Sequence, residues 1–143
     1  MTQIIPTEVK KTFDAYPEAA GKRLMQIREL ILKCARKDDA IGKLTETLQW
    51  GEPAYLTEQT GSGSTIRLGF KDSKPDTIAV YFNCQTTIVK EIQQRYPDQF
   101  TCENNRVLLL PIKNPLPKKE LSECLDIALK YHINKKARNA GLL

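Results

Sequence analysis

The stretch that decides the fold is "STIRLGFKDSKPDTIAVYFN", residues 64–83. In each of its halves, 64–71 and 77–83, apolar and polar side chains alternate, which is the period of a β-strand with one buried face. The polar link 72–76 contains a proline and has the length of a hairpin loop. The stretch therefore predicts two antiparallel strands joined by a turn.

The same alternation predicts the register of this hairpin. If Leu68 lies opposite Val80, every apolar residue faces another apolar residue, and Arg67 meets Tyr81 on the polar face. A shift of one residue in either strand would turn the apolar side chains toward solvent. The other expected pairs are Ile66 with Phe82, Phe70 with Ile78, Thr65 with Asn83, and Gly69 with Ala79.

The remaining segments predict helices around this hairpin. Their apolar residues recur at spacings of three and four, and prolines stand at several of their boundaries. Thr86 or Thr87 is expected to cap the third helix, and the basic run 133–138 is expected to be the solvated end of the last. Helices are expected over 7–17, 17–38, 85–97 and 116–138.

Shorter strands are expected at 47–50 and 54–58, on both sides of 51–53, where a glycine and a proline force a bend. A second hairpin is expected within 100–110, turning at Asn104-Asn105, because asparagine tolerates positive φ. The order of these elements predicts an α+β domain with a largely antiparallel sheet of about five to six strands packed with four helices.

Composition and charge narrow the classes of protein that this chain can be. Hydrophobic residues make up 41% and charged residues 27% of the 143 residues, as in one soluble globular domain spanning 1–143. No apolar run approaches the ~20 residues of a membrane span, and the first residues lack the features of a signal peptide. The net charge is +5, but the basic residues are spread along the chain. We therefore expect a cytoplasmic protein without a membrane or nucleic-acid partner.

Residues of the types that catalyse reactions or bind metals are scattered. The cysteines form no C-x-x-C pair, so they are expected to be reduced and half-buried rather than zinc ligands. The single histidine, His132, is expected to be a packed or partly exposed residue at the edge of the core, on the face of Leu121, and a lone imidazole does not hold a metal. An enzyme, a metal site and a cofactor are therefore not expected. The cysteines are Cys34, Cys84, Cys102 and Cys124.

The segment "TGSGST" (60–65) invites comparison with a phosphate-binding loop. It lacks the lysine and serine or threonine that end a P-loop, and a strand follows it instead of a helix. Because glycine and serine mark flexible loops, a flexible hairpin tip is the expected structure.

The segment "LTETLQWGEPAYLT" (44–57) combines the single tryptophan of the chain with a glycine, a proline and a tyrosine. Its residues Glu46, Leu48, Trp50, Gly51, Pro53 and Tyr55 resemble the signature of the YdhG-like family, a bacterial domain family of unknown function. Other segments along the chain also resemble the family and occur in the same order as in it. They are "YP" (16–17), "GSGSTIRLGFK" (61–71), "IAVYFNCQT" (78–86), "YP" (96–97) and "NNRVLLL" (104–110).

Trp50 and Tyr55 have two interpretations. Large aromatic residues mostly pack, so both are expected first as core or rim residues around a tight corner. The alternative is that Trp50 or Tyr55 forms a wall of a ligand site.

The polar face of the central hairpin is the candidate binding site. Arg67 supplies a planar set of donors for a carboxylate or phosphate, and the segment 83–86 leads into a helix N-terminus, which attracts anions. The alternative is that Arg67 only stacks on Tyr81 and that Asn83 and Thr86 only cap the helix. The candidate ligand-binding residues are Trp50, Tyr55, Thr65, Arg67, Tyr81, Asn83, Gln85 and Thr86.

These residues favour a non-enzymatic binding module for a small ligand, anionic if Arg67 contacts it, or for a protein partner. The resemblance implies an alternative, since some YdhG-like proteins are described as frataxin-like iron chaperones that support iron–sulfur or haem assembly. Iron sites of that kind need clustered oxygen ligands. The chain departs from this pattern, because the carboxylates of its first helices are mixed with lysines and its net charge is positive.

Overall fold

The computed structural model describes residues 3–142. Its helices and strands form an α+β fold, and every strand pairing is antiparallel, as the sequence predicts. None of the helices within the described range combines the length and apolar composition that crossing a membrane requires. The elements are α1 (Thr7–Ala15), α2 (Glu18–Lys37), β1 (Thr45–Gln49), β2 (Glu52–Leu56), β3 (Ile66–Gly69), β4 (Thr77–Tyr81), α3 (Ile88–Arg95), β5 (Thr101–Glu103), β6 (Val107–Pro111), α4 (Lys118–Leu129) and α5 (Tyr131–Asn139).

The six strands form one sheet in the order β1-β2-β3-β4-β6-β5. The central hairpin has the predicted register, with Leu68 opposite Val80 and Arg67 opposite Tyr81. The hairpin of β5 and β6 also turns where expected, since Asn104 has φ 51° and Asn105 has φ 55°. The pattern of alternation and the turn residues therefore located the middle of the sheet correctly.

The helices contribute to a single core on one face of the sheet. Leu24 and Ile27 of α2 and Leu125 of α4 belong to the same buried cluster as Leu68 and Val80. Arg67 and Tyr81 point to the opposite face, where Ala79, Tyr81 and Val107 form a small separate cluster with Leu109. We call this second face, which carries Arg67, Gly69, Ala79, Tyr81 and Val107, the outer face.

The last helix differs from the prediction, because the segment 116–138 is broken at Lys130. The loop between β2 and β3 interrupts its hydrogen-bond ladder. Ser62 Oγ donates to the Leu129 carbonyl at 2.7 Å, and the Ser62 carbonyl accepts the His132 amide at 3.0 Å. A side chain that enters the ladder in this way bends or breaks a helix. His132 is exposed in the first turn of α5, and its ring packs edge-to-face on the buried Tyr131 ring at a centroid distance of 5.4 Å. It therefore lies at the edge of the core, as predicted, but on α5 and not on the stripe of Leu121.

The same loop corrects the prediction of a flexible tip at 60–65. Ser62 and Ser64 are buried, and the Ser64 amide donates to the Ala128 carbonyl at 2.9 Å. Gly63 lies so close to α4 that a Cβ atom built on it would be 2.2 Å from the Leu129 carbonyl carbon. Glycine is used here for close approach to a helix end, so the loop is packed instead of flexible.

The turn between β1 and β2 is tighter than the predicted bend at 51–53. Gln49 pairs with Glu52, which leaves only Trp50 and Gly51 in the turn, at φ 55° and 74°. Positive φ at both central residues is the geometry of a type I′ hairpin turn. Pro53 therefore lies within β2, opposite Leu48, and the turn presents Trp50 at its tip.

Candidate functional site

An open cavity of about 280 Å³ lies on the outer face, at the end of the central hairpin near Asn83. Five of the eight predicted ligand-binding residues line it, and these are Trp50, Thr65, Arg67, Tyr81 and Asn83. The sequence interpretation did not include the other lining residues, which are Gln49, Phe82, Cys84 and Arg106.

Arg67 and Tyr81 line this cavity side by side. The guanidinium carbon of Arg67 lies 5.1 Å from the centroid of the Tyr81 ring, so the predicted stacking is confirmed. Nη1 also donates to Glu52 Oε1 at 2.5 Å. A guanidinium has five N–H donors, so this single bond leaves most of them free for a ligand. Stacking and ligand binding are compatible roles for this side chain.

Glu52 lies flat against the sheet because the facing residue is Gly69. A Cβ atom at Gly69 would be 2.3 Å from Glu52 Oε2 and 2.9 Å from the Tyr81 ring, so any larger residue would displace both. Burial raises the pKa of the Glu52 carboxyl, and the attraction of Arg67 and then of Lys71 reduces that effect. For the Glu52 carboxylate, the cost of burying its charge is therefore larger than the attraction of Arg67.

Arg106 is the second arginine of the cavity and belongs to the loop between β5 and β6. Its carbonyl accepts the Phe82 amide at 2.7 Å, which ties the loop to the end of β4. Its side chain is exposed, and the ion pairs of residues 3–142 do not include it. The asparagine turn indicated where this loop lies, but no pattern indicated that Arg106 would line the same cavity as Arg67.

Trp50 lies at the rim of the cavity, on the β1–β2 turn. Trp50 is 88% exposed, so the expectation that it packs against the core or around the corner between β1 and β2 is wrong. The two-residue turn projects it away from the hairpin, and the helices that could cover it pack on the other face of the sheet.

Tyr55 does not belong to the site. It pairs with Ile66, and the side chains of both residues belong to the core. Its hydroxyl donates to Glu46 Oε2 at 2.7 Å, and the ring is fully buried. Because strand residues alternate between faces, Tyr55 cannot reach a ligand on the outer face.

Gln85 and Thr86 also lie outside the cavity lining. The Gln85 amide donates to Asn83 Oδ1 at 2.8 Å, and Thr86 Oγ1 donates to the Asn83 carbonyl at 2.6 Å. Thr86 Oγ1 also accepts the Ile88 amide at 3.4 Å, so Asn83 and Thr86 form the turn that leads into α3, while the N-cap residue Thr87 makes no side-chain cap hydrogen bond. Their role is to hold Asn83 in place.

The helix N-terminus that the sequence suggested for an anion does not line the cavity. α3 begins at Ile88, later than expected, and none of its residues lines the cavity. The Thr87 amide at its start donates to the Tyr131 hydroxyl at 3.2 Å. The positive charge of the cavity therefore comes from arginine side chains and not from a helix end.

Cys84 is exposed at the cavity wall, contrary to the expectation that all four cysteines are half-buried. Cys124 is fully buried, and Cys34 and Cys102 are partly buried as expected. All four are free thiols. Burial raises the pKa of the Cys34 thiol to about 11.

A narrower cavity of about 60 Å³ continues along the outer face and shares Tyr81 and Arg106 with the first. Lys74 at its edge pairs with Glu103 at 2.7 Å. Lys71 lies 5.9 Å from the Tyr81 ring centroid and has no carboxylate partner within the described chain. The outer face therefore carries more positive than negative charge around Tyr81.

A buried ionic network under β1 and β2 was not predicted. Arg28 of α2 forms two hydrogen bonds to Glu46, at 2.5 and 2.9 Å, and Tyr55 completes the set. Arg28 is 2% exposed. The signal for it was present, since Arg28 occupies the apolar stripe of α2 and Glu46 lies on the core side of β1.

No group of three or more His, Cys, Asp or Glu side chains is placed to hold a metal ion within residues 3–142.

Comparison with known proteins was informative at the level of structure. No family model matches the chain, and no curated protein matches its sequence. The crystal structure of a DUF1801-family protein, YdhG from Bacillus subtilis, aligns with a TM-score of 0.57 over 92% of this chain and 94% of that chain, at 13% identity. An identity this low shows the fold and leaves the function open. The chain therefore has the fold of a YdhG-like domain, as the resemblance in its sequence implied.

Proposed function

We propose that the cavity on the outer face binds a small anionic ligand and that the protein is a binding module without a catalytic step. The observation that carries this proposal is the position of two arginines in the same cavity. Arg106 has no ion-pair partner within the described residues, and Arg67 uses one of its donors. Paired guanidinium groups of this kind recognise carboxylates and phosphates.

The size and surroundings of the cavity support a small ligand. Its volume of about 280 Å³ is just below the range of drug-sized sites, which suits a metabolite of one ring or a few carbons. Thr65 and Asn83 supply a hydroxyl and an amide beside the two arginines, and these groups can fix the orientation of a bound anion.

A thermal-shift measurement tests this proposal with inorganic phosphate, citrate and phenyl phosphate as probes. A ligand that binds the folded state raises its stability in proportion to the logarithm of ligand concentration above Kd. We expect at least one probe to raise the Tm of the wild type and Arg106→Gln to remove most of that rise.

Arg36→Gln is the matched control, because Arg36 is an exposed arginine of α2 that does not line the cavity. It should leave the ligand-induced rise unchanged. A wild type that none of the probes stabilises, or an Arg106→Gln variant that responds like the wild type, would contradict the proposal.

Iron delivery remains the alternative that the family resemblance implies, and residues 3–142 contain no cluster of carboxylates, histidines or cysteines that would favour it. Anaerobic calorimetry with ferrous iron tests it directly. Saturable heat at micromolar metal would support iron delivery, whereas its absence would count against it.

A further inference from the structure

We infer that the ligand of this cavity carries a planar ring next to its anionic group and that Trp50 stacks on that ring. This inference rests on the proposed function of the cavity and adds the chemical class of the ligand, namely an aromatic or heteroaromatic carboxylate or phosphate. Three features of Trp50 support it.

The first feature is that Trp50 is exposed at the edge of the cavity. Tryptophan is the largest apolar side chain and is mostly buried in folded proteins, yet Trp50 is 88% exposed. The other large apolar side chains that are exposed in the described chain are Ile4, Ile133 and Leu142, and none of them lines a cavity that also contains arginine side chains. Exposure of Trp50 therefore coincides with the candidate site.

The second feature is the backbone of Trp50. Its φ of 55° is uncommon for any residue except glycine, asparagine and aspartate, and for a bulky side chain it costs free energy. Packing does not compensate for this cost, because the side chain makes little contact with the protein. Strained residues of this kind are kept where they hold a side chain in a functional position.

The third feature is the set of neighbours in the cavity. Trp50 lines the same cavity as Arg67 and Arg106. A ring stacked on Trp50 would place an attached carboxylate or phosphate within the arginine-lined part. Gln49 precedes Trp50 and lines the cavity as well, so its amide is available to hydrogen-bond a heteroatom of the ring.

Matched pairs of probes separate the ring from the charge. Phenyl phosphate and cyclohexyl phosphate carry the same anion on a planar and a puckered ring, and benzoate and cyclohexanecarboxylate do the same for a carboxylate. The chain has one tryptophan, so its fluorescence reports on Trp50 alone. We expect the planar member of a pair to quench this fluorescence and to bind about tenfold more tightly than its saturated partner. The pair that binds better identifies the anion.

Two variants at Trp50 complete the test, with affinities measured by calorimetry. Trp50→Leu should reduce the affinity for the planar probe to that of the saturated probe, and Trp50→Phe should retain part of the difference. Because Trp50 is exposed, both variants should keep the circular dichroism of the wild type.

The outcomes distinguish this inference from the proposed function. If planar and saturated probes bind equally and Arg106→Gln weakens both, the cavity binds anions but the role of Trp50 is wrong. If no probe binds, both proposals fail. A blue shift of the emission that grows with protein concentration would show that a second copy covers Trp50, and it would overturn the inference.

Discussion

At the scale of single residues, Trp50 in the β1–β2 turn lowers the stability of the fold but lines the candidate site. Trp50 and Gly51 both have positive φ, which glycine adopts without cost and tryptophan does not. The sequence Asn-Gly is the one that a type I′ turn favours most strongly.

We expect Trp50→Asn to raise the free energy of unfolding by ~1 kcal/mol, because asparagine adopts this φ more easily and no packing is lost. Urea denaturation measures the change. The same variant should lose the preference for planar probes. A loss of stability would mean that Trp50 makes contacts in solution that its exposure does not suggest.

Gly51→Ala is the control for this turn. Nothing lies within 4 Å of a Cβ atom at Gly51, so the substitution adds backbone strain without a steric clash. We expect it to lower the free energy of unfolding by ~1 kcal/mol, opposite in sign to Trp50→Asn.

The buried network of Arg28, Glu46 and Tyr55 is a second feature at this scale. Arg28→Met removes one partner and leaves the Glu46 carboxylate buried without its counter-charge. We expect a loss of about 3–5 kcal/mol in urea denaturation. Arg36→Met on the same helix changes an exposed arginine and should alter stability by less than about 0.5 kcal/mol.

Replacing the whole network tests whether charge or packing is responsible. The combination Arg28→Met, Glu46→Leu and Tyr55→Phe removes both buried charges and the tyrosine hydroxyl together and leaves only the half-exposed Glu29. We expect this variant to recover most of the loss. If the triple variant is as unstable as Arg28→Met alone, the network contributes through its shape and not through its charges.

At the scale of elements, the loop between β2 and β3 determines how the chain ends. Ser62 satisfies the Leu129 carbonyl and the first amides of α5, so two short helices replace one long helix. The amide of Ser64 adds a bond to the Ala128 carbonyl. The loop thus acts as a cap for α4 and for the start of α5.

Gly63→Ala should be strongly destabilising, because the new Cβ atom would meet the backbone of Leu129 and neither side can move without breaking these bonds. We expect a loss of roughly 2–4 kcal/mol in urea denaturation. Gly61→Ala is the neighbouring control. A Cβ atom there meets nothing within 4 Å, so only the strain of φ +68° applies, and a loss of ~1 kcal/mol is expected. Equal losses at the two positions would contradict the close packing of this loop.

At the scale of the whole molecule, the helices pack on one face of the sheet and the long polar side chains of the outer face cover the other. Across this face, Arg67 pairs with Glu52, and both Arg67 and Lys71 lie over the Tyr81 ring. The charge of Glu52 also acts on Tyr16, because burial and then Glu52 raise the pKa of the Tyr16 hydroxyl to about 12. Stability should therefore depend on the ionisation of Glu52.

Burial raises the pKa of Glu52 above its ordinary value of 4.5. The stability linked to this group is therefore complete below about pH 4.5 and is lost as pH rises through the raised pKa. We expect Glu52→Gln, which cannot ionise, to gain stability relative to the wild type as the pH rises above 4.5. Urea denaturation across that range measures the difference.

Glu103→Gln controls for the loss of a negative charge on the same face, because Glu103 is a more exposed carboxylate that pairs with Lys74. If Glu52→Gln instead becomes less stable than the wild type as the pH rises, the attraction between Arg67 and the Glu52 carboxylate outweighs the cost of burying that carboxylate. Glu52→Gln also releases Arg67, so it should bind phosphate probes more tightly than the wild type.

The sequence by itself determined the α+β class, the antiparallel central hairpin and its register, and the turn at Asn104-Asn105. These features depend on neighbours along the chain, on the period of two in a strand and on the φ preferences of turn residues, so they can be deduced from local patterns. The same reasoning placed Arg67 and Tyr81 together on one face.

Only the tertiary structure decided which residues meet across distant segments. Ser62 breaks a helix that begins more than fifty positions later in the chain, Tyr55 turns to a buried carboxylate, and Arg106 joins Arg67 from a separate hairpin. Each of these contacts depends on the distance at which two elements pack. The apolar pattern of one element is compatible with several packing distances, so it cannot predict the contact. The composition of the candidate site is for that reason a property of the fold.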